Sequence, residues 1–224
     1  MRIARARELG GPVDPQELSQ LDGGLLVRLA RASVKYFMES GRPPSLQDVG
    51  ISIPSKLGRP GAAFVTIEER GSEGWELRGC IGLVRPIAPL AEAVVRAAVD
   101  AAFSDPRFPP LTPEELPESR FEVTVLGGLE ELPKRPDLRL AEVKVGVHGL
   151  LVESPPNSGL LLPQVAVEEG WNEVMFLTWA CIKAGLSGTC WLREDVRVYR
   201  FRARIWREIE PDGIIEERIL EAVR

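Results

Sequence analysis

Two periods run through the hydrophobic positions of this chain, and they alternate finely. After Asp22, residues Leu25, Leu26, Leu29, Ala32, Tyr36 and Phe37 recur at helical spacing and predict a helix through Ser40. Gly41 is placed to end it, and the Pro43-Pro44 pair forbids its continuation. A loop broken by Pro54 and Pro60 follows. Residues 62–68 and 75–81 then read as strands on either side of the turn-rich break at 70–74, which makes a hairpin. Residues 90–103, rich in Ala and Val, predict a buried helix. Thr112 and Glu115, with Pro113 between them, have the spacing of a capping box for a short helix, and 121–126 reads as a strand.

A similar order recurs in the second half. Apolar runs at 147–153 and 160–165 flank a turn, Asn172 can cap a helix reaching about Ala184, and Gly185 is its stop. The last strand, 196–208, alternates apolar Tyr199, Phe201, Ala203 and Ile205 with Arg200, Arg202 and Arg204, so one face reads as core and the other as basic. The pattern predicts an α+β fold of two interlocked lobes, with largely antiparallel sheets, packed helices and a hairpin–helix–strand order used twice. The expected organisation is an N-terminal arm over 1–17 and a single domain over 18–224, whose repeat units span about 61–127 and 147–208. In that scheme Cys80 and Gln164 occupy comparable places late in the second strand of each hairpin, and a groove between the halves is the expected site.

Composition narrows the classes. With 224 residues, 44% hydrophobic and 27% charged, the chain is an ordinary globular protein able to bury a sizeable core. A formal net charge of −5 argues against general nucleic-acid binding, which needs a net basic face. Nineteen prolines and 21 glycines suit short strands and loops better than a helical bundle. The three cysteines, Cys80, Cys181 and Cys190, form an odd set without a pairing pattern. The expectation is therefore no disulfide, with Cys181 in helix core, Cys190 in packing, and a reducing compartment. The opening stretch lacks an apolar core of signal-peptide length, and no run approaches the roughly 18 apolar residues of a membrane span. A cytoplasmic protein without membrane contact is expected.

Chemistry concentrates in a few strings. In Leu77-Arg78-Gly79-Cys80-Ile81-Gly82 two glycines bracket a cysteine at a strand end, so backbone can approach closely. On a regular strand Arg78 shares the face of Cys80, where its charge would favour the thiolate, the nucleophilic form. The bland alternative is a small buried hydrophobe. His148, the one histidine, lies between Gly146-Val147 and Gly149, so any imidazole base must be this residue and multi-histidine metal sites are excluded. It can serve as base to Cys80 or be an exposed turn histidine. Asp105 and Arg107, in a proline-fixed corner, can pair with each other or present the arginine to an anionic ligand. Gln164, alone in an apolar run, needs a hydrogen-bond partner from backbone or ligand. Neither phosphate-loop nor nucleophile-elbow spacing occurs, and no cofactor is indicated.

Together these strings resemble the AMME syndrome candidate gene 1 protein family. The hexapeptide at 77–82 looks like its signature. Asp105-Pro106-Arg107-Phe108, His148-Gly149, Leu161-Leu162-Pro163-Gln164-Val165-Ala166, Trp171 and Lys183-Ala184-Gly185-Leu186 are similar to it in the same order, over roughly residues 20 to 208. The resemblance implies a two-lobed α+β fold with a cleft near the hexapeptide, and no particular reaction. By family association it implies Memo-like or radical-SAM proteins as partners, on separate chains, in modifying a nucleic acid, peptide or small molecule. Three readings follow. The first is a cysteine-dependent enzyme, with Cys80 as nucleophile, His148 as base, and Arg78, Gly79, Gly82, Asp105, Arg107 and Gln164 binding a small molecule, peptide or nucleic-acid-derived substrate. The second is a noncatalytic ligand- or protein-binding module using the same cleft. The third is a redox sensor at Cys80.

Overall fold

Hydrophobic burial divides this chain between two cores. The structure, a computed structural model, describes residues 10–72 and 74–221. Among the described residues, one compact unit combines those up to Leu126 with Arg204–Arg218, and the other is formed by Gly127–Ala203 with those from Ile219 onward. The described residues hold five α-helices and nine strands, an α+β fold with antiparallel pairing.

In the first unit, α1 (Gln20–Ser40) begins two residues before Asp22. Ser19 is its cap, and Asp22 sits at the third helical position, where its carboxylate accepts the Ser19 N–H at 2.7 Å in a capping box. Gly41, in the left-handed region at φ 69°, ends the helix. The strands β1 (Pro60–Arg70) and β2 (Trp75–Gly82) form the hairpin; β3 (Ala88–Pro89) pairs with β1 and leads into α2 (Leu90–Phe103). Next to β1 lies β4 (Arg120–Leu126), with Thr66 opposite Glu122. One face of this sheet carries Val65, Ile67, Phe121 and Val123, buried in one cluster with Leu26, Leu29 and Val94 of the two helices. The Thr112–Glu115 capping bonds form, the Thr112 N–H reaching Glu115 Oε2 at 2.7 Å, but only a 3-10 turn at Leu116–Glu118 follows. Of the arm expected over 1–17, residues 1–9 lie outside the described residues. Val13 and Pro15 are buried, and the Val13 N–H donates to the Pro60 carbonyl at 2.8 Å.

The second unit holds β5 (Glu130–Glu131), α3 (Pro136–Glu142), β6 (His148–Ser154), β7 (Asn157–Leu161), α4 (Pro163–Glu168) and α5 (Glu173–Lys183). The last long strand, β8 (Arg197–Glu208), gives its first half to this unit and its second half, from Arg204, to the first unit, where β9 (Ile215–Glu217) pairs with it. Within the second unit the order is β7-β6-β8, with β5 on the free side of β8. Leu150, Val152 and Val198 meet Phe176, Leu177 and Ala180 in its core. Asn172 caps α5 by accepting the Met175 N–H at 2.9 Å.

Two expectations are corrected here. The even positions of β8 are not simply a basic face, because Val198 and Trp206 lie at 0% exposure in the cores of the two units, with the arginines between them. Cys181 and Cys190 are not separate packing residues: they form a disulfide, with Cα atoms 5.7 Å apart. Gly185, at φ 72°, stops the helix after Cys181 and turns the chain back, so that nine residues of separation close into one bridge. The cysteine set therefore no longer argues for a reducing compartment. No helix among the described residues is long and apolar enough to cross a membrane.

Candidate functional site

The hexapeptide is built around close approach. A Cβ on Gly79 would lie 2.2 Å from the Ala101 carbonyl oxygen of α2, and one on Gly82 would lie 2.4 Å from the Ala63 oxygen of β1. Glycine lets β2 touch its neighbours at both points. Between these glycines Cys80 is a half-buried residue with a free thiol. Its N–H donates to Asp105 Oδ2 at 2.9 Å, and its carbonyl accepts from Arg107 Nη2 at 3.3 Å. Arg107 also clasps the Asp105 carboxylate, Nε to Oδ1 at 2.9 Å and Nη2 to Oδ2 at 2.6 Å. The corner after α2 thus staples the strand at Cys80 through a bidentate ion pair.

Arg78 does not join this cluster, which corrects the expectation of a shared face. The register shifts between Ile67 and Glu68: Gly79 lies opposite Ile67 and Leu77 opposite Glu68, so Arg78 bulges out of the ladder. Its buried guanidinium is held by Glu115, with Nε to Oε1 at 3.0 Å and Nη2 to Oε2 at 3.2 Å. Arg78 in turn pulls the Glu115 carboxyl below its ordinary range. The cation near Cys80 is Arg107 instead. Burial pushes the Cys80 thiol up, and neither the Thr66 hydroxyl, 3.4 Å from Sγ, nor the Arg107 charge reverses this. Arg107 is half-exposed, its side chain at 45%. Its pairing holds the Asp105 carboxyl down at about 2.

His148 belongs to the second unit, and it is buried at the start of β6 rather than exposed in a turn. Its Nδ1 accepts the Lys144 backbone N–H at 3.1 Å. The neutral ring therefore carries its proton on Nε2. Burial, followed by the charges of Arg200 and Arg202, pushes its pKa down. A cavity of about 550 Å³ opens here, lined by His148, Lys144, Arg200, Arg202, Glu130 and Glu142 among others. Arg200 is engaged with both acids: Nε donates to Glu130 Oε2 at 2.9 Å, and Nη1 bonds the Glu142 carboxylate.

Gln164 is not late in a strand. Pro163, in the first turn of α4, forces the preceding Leu162 to stay extended and starts the helix, so buried Gln164 falls in that first turn. Among the described residues no group of three or more His, Cys, Asp or Glu is placed to hold a metal ion. In the first unit a second cavity of about 730 Å³ is lined by Pro43, Leu83, Ile87, Glu92 and Arg96 among others, and Cys80 does not line it.

The residues that sequence reasoning passed over are those whose partners are distant. Thr66 faces Cys80 only because β1 and β2 pair. Arg139, buried in the second unit, donates to the carbonyls of Pro133, Trp191, Arg193 and Val196 at 2.6–2.9 Å, with no sequence signal at all.

The AMMECR1 family model matches residues 27–206. A protein of Aeropyrum pernix is 63% identical over 220 residues, covering 98% of this chain and 92% of that one. Protein MK0488 of Methanopyrus kandleri is 42% identical over 212 residues, covering 92% and 97%. Among solved structures, that of the uncharacterised protein PH0010 from Pyrococcus horikoshii superposes with a TM-score of 0.84 at 41% identity, over 91% of this chain and 99% of that one.

Proposed function

The chain belongs to the AMMECR1 family, and we propose that it is a noncatalytic binding module that takes up the carboxylates of a partner protein or peptide at Arg107, beside the hexapeptide. One observation carries this reading: the thiol that an enzyme would use is held toward its protonated form, while the guanidinium next to it is fixed and half-exposed. A nucleophilic cysteine needs the opposite, a thiolate favoured at neutral pH. Asp105 orients Arg107 without covering it, which leaves a directed cation for a carboxylate from outside. The preceding bulge locks Arg78 onto Glu115, so the strand end is rigid and the recognition geometry preformed.

The test compares two substitutions on the full chain. Fluorescence anisotropy with a labelled hexaglutamate peptide is expected to give unchanged affinity for Cys80→Ser and roughly fivefold weaker binding for Arg107→Gln. Iodoacetamide labelling of Cys80 against pH is expected to show a midpoint above the ordinary value of about 8.5. A midpoint near or below neutrality, with Cys80→Ser abolishing cellular function, would instead support the cysteine-dependent enzyme.

A further inference from the structure

We propose that the cavity beside His148 is a second binding site, independent of Arg107, for the phosphoryl group of a small molecule. The cavity is confined to the second unit. Its volume of about 550 Å³ falls within the roughly 300–1,000 Å³ of small-molecule sites. Charge inside it is unbalanced. Arg200 is engaged with Glu130 and Glu142, whereas neither Lys144 nor Arg202 has an ion-pair partner among the described residues. With the imidazole neutral, three cations face two carboxylates, an excess of one positive charge.

The imidazole supplies the directed contact. His148 is 6% exposed, its Nδ1 is satisfied by the Lys144 N–H, and Nε2 has no protein acceptor among the described residues. An imidazole N–H without a protein acceptor, on a residue that lines a cavity with an excess of cations, is a directed donor for an anionic oxygen. Arg202 lies directly opposite His148 in the β6–β8 ladder, so both project from the same end of one sheet face. Lys144 belongs to the turn whose N–H fixes the ring. The three donors therefore come from two strands and a turn, and a phosphoryl group offers an oxygen to each. A carboxylate has only two.

The single histidine makes the test direct, because the imidazole Cε1–H signal in the NMR spectrum has one source. Inorganic phosphate and glycerol 3-phosphate, titrated separately into the full chain, are expected to shift that signal saturably. Sodium chloride at matched ionic strength is expected not to, and acetate to saturate at higher concentration. If glycerol 3-phosphate saturates first, the ligand is a phosphomonoester; if inorganic phosphate does, it is the free ion. Arg202→Gln is expected to raise the midpoint roughly fivefold. Lys144→Gln, at an exposed side chain, provides the same test if the first variant folds poorly. Arg107→Gln is expected to leave the titration unchanged, so this site stands or falls separately from the peptide site. No saturable shift, an equal response to acetate or chloride, or wild-type midpoints in both cavity variants would overturn the proposal.

Discussion

Asp105 fixes the geometry around Cys80 by holding a backbone N–H and a guanidinium at once. Those bonds favour its ionised form, so its carboxyl titrates at about 2 in the folded chain against 3.8 for the ordinary group. The sign follows directly: the unfolded state binds the proton more readily, so the contribution is fully present above 3.8 and is lost as pH falls toward about 2. Urea unfolding across this window is expected to show a smaller loss of stability on acidification for Asp105→Asn than for the parent chain. At this scale the sequence offered the right side chains but not their partners. Asp105 and Arg107 are legible as a pair because one residue, Pro106, separates them in a proline-fixed corner. Arg78 departs from the regular-strand expectation because a bulge, set by pairing with β1, turns it toward Glu115 instead.

Secondary structure followed local pattern wherever packing and propensity agreed. The helix expected over 90–103 is found as Leu90–Phe103, since its Ala- and Val-rich surface is buried almost all round. Elements without such a pattern needed partners: α3 has seven residues, and Arg139 within it reaches four carbonyls from outside the helix. These bonds satisfy main-chain groups of the segments before α3 and before β8, which have no ladder of their own there. Arg139→Met would bury a similar stem while stranding the carbonyls. We expect it to cost about 3 kcal/mol, read as a lower denaturation midpoint at unchanged slope.

At the scale of the whole molecule, one chain maintains two cores, and a covalent link ties only one of them. The Cys181–Cys190 bridge closes a nine-residue separation between α5 and the turn before β8. Loop-closure entropy for that length corresponds to about 2.5 kcal/mol. Reduction is therefore expected to lower thermal stability, and to raise amide exchange in α5 more than in α1 or α2. Equal acceleration in both units would show that the bridge stabilises the chain as one block. The two-lobe expectation came from repeated local order, but the bridge did not. It depends on Gly185 reversing the chain, and an odd cysteine count hid it.

By itself the sequence determined the strands and helices with strong periodicity, the glycine-framed cysteine and the uniqueness of His148, because these depend on neighbours a few residues apart. Tertiary structure decided the rest: that Cys80 is pushed toward its protonated form, that Arg107 rather than Arg78 is its cation, that His148 is buried over a cationic cavity, and that two cysteines join. Each of those outcomes depends on desolvation and on contacts between segments distant in the chain, which local spacing does not encode.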